Sequence, residues 1–463
     1  MTAPAVPSDN AGSGPARGGL AGLTPSGRAI VPVGWSLYDF ANTIFSYAVV
    51  SYAMGLWLVD DTRFGQGGGQ LAFSLAIAVS VGINAIVSPI LGMLSDRAGG
   101  RRLPYLLFFT LLCIIPTAVI GNSPALLGLV LFTVANFAYQ SALIYYDATL
   151  KTVSHPATRG KLSGIGVAIG YCGTIFIGVL IFLLDLPVAS VFFVAAALFG
   201  LFAIPLFLVV REPAPPLGTP RPGFRDALAS LSQLAATIAD ARKVPGLGRF
   251  LLGRFFYSDA VNTIIVVMAI VATEAMGLTD TVANLILLSL AVVAVLASFG
   301  WGALVDRLGP KRTLMLVLGS WAIGLVIGGV SLGIQGSTGL ALFIFAGAIL
   351  GSGLGGVQVA DRVLMIRLSP PPKLGEFFGL YGLVGKGSQV IGQLLFGAIV
   401  FLLVDSLGVV AYQIAVLSLL VTMLIGLWLI RPVSDRWSGS GEVPMASPPP
   451  ERLAPASAPI EPR

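Results

Sequence analysis

The stretch "GMLSDRAGGRR", residues 92–102, returns as "GALVDRLGPKR" at 302–312. The copies align at an offset of 210, Gly92 with Gly302, Asp96 with Asp306, Arg97 with Arg307, and a basic pair closes each. Both begin where a long apolar run stops. Three more coincidences follow the same order. "SLYDFANTIF" (36–45) and "FFYSDAVNTII" (255–265) share D-x-x-N-T-I, 220 residues apart. Asp147 and Asp361 are 214 apart, and Gly160 and Gly164 answer to Gly375 and Gly379. Matches recurring in order at nearly one spacing mark a duplicated unit, and parallel repeats of this kind place a substrate path at their interface.

Composition says what the unit is made of. Hydrophobic residues fill 56% of the 463 positions and charged ones 10%, against about 25% charged in a soluble domain. Twelve apolar runs reach the length of roughly 20 residues that crosses a bilayer as helix: 30–59, 71–94, 104–122, 124–150, 161–184, 188–210, 250–275, 280–304, 312–334, 338–366, 375–404 and 408–430. Barrel strands would show short alternating segments instead. The expectation is an all-α membrane protein with twelve transmembrane helices in two pseudo-symmetric six-helix bundles.

The net charge of +6 does not mark a nucleic-acid surface, because of where the charges lie. Of the 27 Lys and Arg, only Arg63 falls in a loop joining an odd run to the next even one, and only Lys386 lies mid-run. The others gather on the opposite side, which is the positive-inside pattern and expects both termini in the cytoplasm. Residues 1–29 lack the apolar core of a signal peptide, and the first run is read as the anchor. The tails 1–29 and 432–463 are expected to be disordered cytoplasmic segments. The polar stretch 211–249 separates a bundle of 30–210 from one of 250–431. It opens "REPAPPLGTPRPG" and continues with Phe224, Leu228, Leu231, Leu234 and Ile238 at helical spacing, an amphipathic helix lying on the membrane or on neighbouring loops. Cys113 and Cys172 both lie within runs, implying neither disulfide nor metal framework. The excess of Arg over Lys and the Ala/Gly bias point to a bacterial plasma membrane.

G-x-L-x-D-R-x-G-x-[RK]-R between the second and third runs resembles the loop motif of the major facilitator superfamily, and here it occurs twice. Within that superfamily, "SLYDFANTIF", "RGKLSGIGVAIGYCG" (159–173), "FFYSDAVNTII" and "GEFFGLYGLVGKGSQVIG" (375–392) resemble the branch of fungal vacuolar amino-acid effluxers and their bacterial relatives. The resemblance covers roughly positions 30 to 430. It implies a secondary transporter of amino acids, a cavity lined by spans 1, 4, 7 and 10, and a cytoplasmic latch built from Asp96, Arg97, Asp306 and Arg307.

The polar residues inside the runs carry the rest. An ionised carboxylate at the bilayer centre is costly, so it should face a wet cavity or a partner. Asp39 and Asp259 lie roughly 13 Å past the start of their runs at 1.5 Å per residue. Asp39 shares one helical stripe with Asn42, Thr43 and Ser46, and Asp259 shares another with Asn262 and Thr263. Two readings stand: facing polar stripes that bind substrate or proton in a central cavity, or helix cross-links worth about 0.6 to 2 kcal/mol each. Asp147 lies one turn from Lys151, and Asp361 adjoins Arg362, so each is a cavity group or half of a local ion pair. Lys386 shares a face with Gln389 and Gln393. It is read as an internal salt bridge to an aspartate or as a dock for a substrate carboxylate. Gln140, Asn136 and Asn84 add neutral hydrogen-bonding positions or serve packing.

Several patterns are set aside. "GSGLGG" (351–356) fits G-x-G-x-x-G but lies within an apolar run with no strand before it, so helix packing explains it better than a nucleotide. No G-x-x-x-x-G-K-[ST] occurs, which removes ATP hydrolysis within this chain. His155, the sole histidine, is read as interfacial. No metal, cofactor or nucleic acid is expected, and no enzymatic activity. The expected partners are a small-molecule substrate, membrane lipids and protons, with the chain acting as a monomer. A mixed-charge cavity suits a small zwitterion, Asp39 or Asp259 meeting its ammonium and Lys386 or Arg362 its carboxylate. Efflux of lipophilic cations, or a non-transporting sensor or scaffold with the same fold, are the alternatives.

Overall fold

A backbone in lipid must satisfy its own hydrogen bonds, and runs this long and apolar do so as helices. The computed structural model describes residues 19–213 and 234–434. Helix α1 starts at Ile30–Phe45 and continues through a π-helical stretch, Ser46–Ala53, into Met54–Leu58. Then come α2 (Gly65–Arg97), α3 (Leu103–Ile120), α4 (Ala125–Val153), α5 (Arg159–Leu183) and α6 (Val188–Val209). A linker helix, Leu234–Lys243, precedes α7 (Leu247–Ile270), which ends in a π turn, Val271–Ala275. The chain continues with α8 (Asp280–Leu308), α9 (Pro310–Ser331), α10 (Gly336–Leu368), α11 (Leu374–Leu407) and α12 (Val409–Ile430). Eleven of these are unbroken helices long and apolar enough to cross a membrane; α1, divided by its π stretch, is the twelfth. Exposed Phe108, Ile115, Leu208, Phe345 and Trp428 give the exterior an apolar skin that belongs in lipid. The protein is an integral, multi-pass membrane protein.

The duplication seen in the sequence is a duplication of packing. Helix α1 packs on α5 and α6 as α7 packs on α11 and α12; α2 meets α4 as α8 meets α10; α3 meets α4 and α6 as α9 meets α10 and α12. The two six-helix bundles join along α2–α11 and α5–α8, with α5–α10 and α4–α11 contacts between. Glycine makes these seams close. A Cβ on Gly302 would stand 2.7 Å from the Gly160 carbonyl, one on Gly164 would stand 2.5 Å from the Ser298 carbonyl, and one on Gly92 would collide with the backbone of Gly375. Small residues at helix crossings are the usual device for such approach in a membrane.

The repeated loops occupy one end of the bundle, the motif end. Asp96 and Arg97 form the last turn of α2, and Gly99 and Gly100, at φ 75° and 78°, turn the chain into α3. Gly309, at φ 87°, does the same between α8 and α9. A side chain in this left-handed region would be strained. The linker helix also lies at the motif end. Phe224, Leu228 and Leu231 fall outside the described residues. Within the helix the buried positions are Thr237 and Ala241, while Ile238 is 37% exposed. Among the described side chains the helix is held by Ala241 in the core and by a polar contact, Thr237 Oγ1 donating to Glu376 Oε1 at 2.5 Å; the side chain of Leu234 also falls outside the described residues. At the opposite end the Arg63 guanidinium folds over Trp57, 3.4 Å from the ring centroid.

Candidate functional site

The loop motifs form two matching latches. Asp96 Oδ1 accepts from Gly375 N at 2.9 Å and Oδ2 from Glu376 N at 2.8 Å. Asp306 does the same on the other side, Oδ1 from Gly160 N at 2.7 Å and Oδ2 from Lys161 N at 2.8 Å. Helices α11 and α5 start at Leu374 and Arg159, so each carboxylate caps the unsatisfied first-turn amides of a helix in the other half, where the helix dipole also favours negative charge. This explains why Gly160 and Gly375 recur: the capped turn must approach a glycine on the facing helix. Arg102 Nη2 lies 3.6 Å from Asp96 Oδ1. Arg97 and Arg307 are exposed at the motif end, beside the aspartates that cap the facing helices.

Deeper in the seam a second layer of charge joins the halves. Arg362 on α10 reaches into the first half, Nη1 to Asp147 Oδ1 at 3.0 Å, and Nε and Nη2 to Ser163 Oγ at 3.2 and 2.9 Å. Its guanidinium also lies 5.1 Å from the Trp35 ring centroid, and Asp39 is within electrostatic reach of both Arg362 and Asp147. Asp361, next in the chain, points elsewhere because neighbours on a helix diverge by about 100°. It pairs with Arg254 of α7 and accepts from Tyr381 Oη at 2.8 Å, and the Arg254 guanidinium stacks 3.4 Å from the Tyr381 ring centroid. The sequence suggested partners within one turn for Asp147 and Asp361. The structure gives both a cation from another helix, Arg362 of α10 for Asp147 and Arg254 of α7 for Asp361.

Lys386 makes no salt bridge to an aspartate among the described residues. Its ammonium donates to Asn84 Oδ1 on α2, across the α2–α11 seam, and Asn84 is held by its Nδ2 donating to Ser141 Oγ at 2.7 Å. Asp147 remains within electrostatic reach of Lys386. The side chain of Gln389 is outside the described set, Gln393 is exposed, and Gln140 is half-buried on α4. One turn from Arg362, Gln358 Nε2 donates to Tyr171 Oη on α5 at 3.1 Å, another cross-half bond.

The two D-x-x-N-T copies do not face each other as matching stripes. Asp39 is half-buried beside the Arg362 group. Asp259 is 2% exposed and turned against α11, where Oδ1 accepts from Gly392 N at 2.6 Å and Oδ2 is buried without a partner. Each copy also serves packing: Thr43 Oγ1 donates to Gly170 O at 2.5 Å, and a Cβ on Gly392 would lie 2.6 Å from Asp259 Oδ1. Asn42 is buried with its Oδ1 unpartnered, and Asn262 is half-buried. The discounted patterns behave as packing and capping. A Cβ on Gly356 would meet Val317 at 2.6 Å, and His155 Nδ1 accepts from Ala157 N at 3.2 Å.

The profile of the vacuole effluxer Atg22-like family matches residues 151–436. The chain belongs to that family. It is a transporter of the major facilitator superfamily in its Atg22-like branch. The chain is 28% identical over 432 residues to the uncharacterized MFS-type transporter YxiO of Bacillus subtilis (strain 168), covering 87% of this chain and 95% of that one. It is 29% identical over 282 residues to autophagy-related protein 22 of Botryotinia fuckeliana (strain B05.10), covering 52% of this chain but only 39% of the fungal protein's length. Among solved structures, the human organic anion transporter MFSD10 superposes with a TM-score of 0.67 at 15% identity, covering 87% of this chain and 98% of that one, a likeness of fold.

Proposed function

We propose that this family member is a secondary transporter of small zwitterionic solutes, amino acids among them, working by alternating access and shut here at its cytoplasmic side. The observation that carries the reading is Arg362 crossing the seam to Asp147 and Ser163, with Asp39 in reach. Buried charge is expensive unless paired or used. Two acids and two bases along the seam offer a zwitterion one charge of each sign. The planar fork of Arg362 suits a carboxylate, and Asp39 with Asp147 suits an ammonium. In this reading the basic loops face the cytoplasm, as the positive-inside pattern favours, the membrane is a bacterial plasma membrane, and the chain works as a monomer. Asp259, with one carboxylate oxygen unpartnered, is the proton carrier of the reading: protonation removes a buried, uncompensated charge and ties transport to a pH gradient. The test is uptake and counterflow of an amino-acid panel in proteoliposomes, with and without an imposed pH gradient. Accumulation of at least one zwitterion, lost in Arg362→Gln, supports the reading. Export of lipophilic cations with no amino acid taken up overturns it.

A further inference from the structure

The two halves match in packing but not in charge. The 220-residue offset that relates Asp39 to Asp259 sets Gly34 opposite Arg254. A Cβ on Gly34 would already stand 2.5 Å from Val209 Cγ2, so nothing larger fits. Asp361 is thus neutralised within its own half by Arg254, whereas its counterpart Asp147 has no such cation on α1 and draws one from the other half, Arg362. In the deeper layer of the seam charge is sorted accordingly: Asp39 and Asp147 on the first half, Arg362 and Lys386 on the second. The groups around Asp147 are Arg362 from α10, Lys386 and Tyr381 from α11, Asp39 from α1 and Tyr139 and Tyr146 on its own helix. Lys151 follows one turn on.

We infer that the Asp147–Arg362 pair is a gate between the halves that only a ligand carrying both charges splits, its ammonium passing to Asp147 and Asp39 and its carboxylate to Arg362 and Lys386. This rests on the zwitterion reading above and adds the gating role and the orientation. Opening the motif end separates the α4 and α10 ends and pulls the pair apart. Removing one partner from a buried ion pair leaves an uncompensated charge, which is strongly disfavoured. A monoamine relieves Asp147 and strands Arg362, and a monocarboxylate does the reverse. A zwitterion satisfies both and bridges the parted halves, so it binds the open form better and draws the equilibrium toward it.

The experiment uses the full chain in liposomes, carrying Cys113→Ser, Cys172→Ser and Ser95→Cys. Ser95 is fully buried, and a Cβ on Gly375 across the α2–α11 seam would stand 2.6 Å from its Oγ, so an impermeant maleimide added from the motif side reads the opening of that seam. The probes are a mixture of neutral L-amino acids, the amines left by their decarboxylation, and the carboxylic acids left by their deamination. The expected result is about tenfold faster labelling with the amino acids, for a differential affinity of that size, and no more than about twofold with either single-charge set. The double variant Asp147→Asn/Arg362→Gln labels fast without ligand and no longer distinguishes the probes. Ser163→Ala, which keeps both charges and frees one anchor of Arg362, gives a smaller acceleration and covers a double variant that does not fold. Equal opening by single-charge probes overturns the inference, as does a folded double variant or Ser163→Ala that labels like the parent. If no amino acid is transported at all, the substrate reading fails, while the variant arms still decide the gate.

Discussion

Neutralising a latch should open the motif end, and the structure sets the size of the effect. In Asp96→Asn the side chain keeps one acceptor oxygen, but its other terminus becomes an NH2 group aimed at a backbone N–H of α11, where Asp96 now accepts two bonds at 2.9 and 2.8 Å. One charge-assisted bond is lost outright and the other weakened. Such bonds contribute about 1.5–3 kcal/mol each, and the contact is little screened, with Asp96 only 8% exposed. A loss near 2 kcal/mol changes the closed-to-open ratio roughly 30-fold, since 1.4 kcal/mol is a factor of ten. Asp306→Asn removes the same pair of bonds on the other seam. If the latches are independent, the double variant shifts the ratio about 1,000-fold. The assay is cysteine accessibility at both ends: Ser95→Cys, buried against Gly375, should gain reactivity from the motif side, and exposed Ser51→Cys on the far half of α1 should lose it. Intrinsic affinity of the binding-competent state stays nearly constant. An unchanged labelling pattern in both single variants would refute the latch.

Three further outcomes are expected. Asp259→Asn should abolish accumulation driven by a pH gradient while sparing counterflow, and Asp39→Asn should weaken binding; wild-type values for both variants in both assays would make these aspartates packing residues. Arg254→Gln leaves Asp361 buried without its cation and should destabilise the second half by about 3–5 kcal/mol, read as a lower midpoint in thermal unfolding. Lys373 and Lys243 hold the Asp240 carboxyl down at about 2. A lowered carboxylate contributes to docking above its usual range and loses that contribution only as pH falls toward 2. Docking of the linker helix should therefore be insensitive to pH between about 5 and 8 but loosened by salt, and tryptic cleavage at Arg242 and Lys243 should quicken with ionic strength alone.

Much of this was legible in the sequence, and the limits have physical causes. The repeats at 92–102 and 302–312 disclosed the duplication because both copies still do the same work, capping α11 and α5. Asp147, Asp361 and Arg362 could be marked as costly intramembrane charges, but their partners could not be assigned. Sequence exposes neighbours at i+1 and i+4, whereas the partners used, Arg362 for Asp147 and Arg254 for Asp361, lie more than 100 residues away and depend on helix packing. Arg254 was passed over among the basic residues gathered on one side, although it lies seven residues into α7 and one turn from Ser258. Ser163 and Trp35 gave no signal, being common types in ordinary positions. The D-x-x-N-T repeat suggested equal roles for Asp39 and Asp259. Their neighbourhoods separate them, because only the first has a guanidinium beside it.

The claim that organises all of this is that the cross-half cluster of Asp39, Asp147, Arg362 and Lys386 binds a zwitterion. The most direct measurement is counterflow of radiolabelled neutral L-amino acids in liposomes holding the wild-type protein, Arg362→Gln or Asp39→Asn. The account predicts exchange by the wild type that falls at least about tenfold in either variant, the loss expected when one charged partner of a bound ligand is removed. Exchange at the wild-type rate in both variants, or none by a folded wild type, would contradict it.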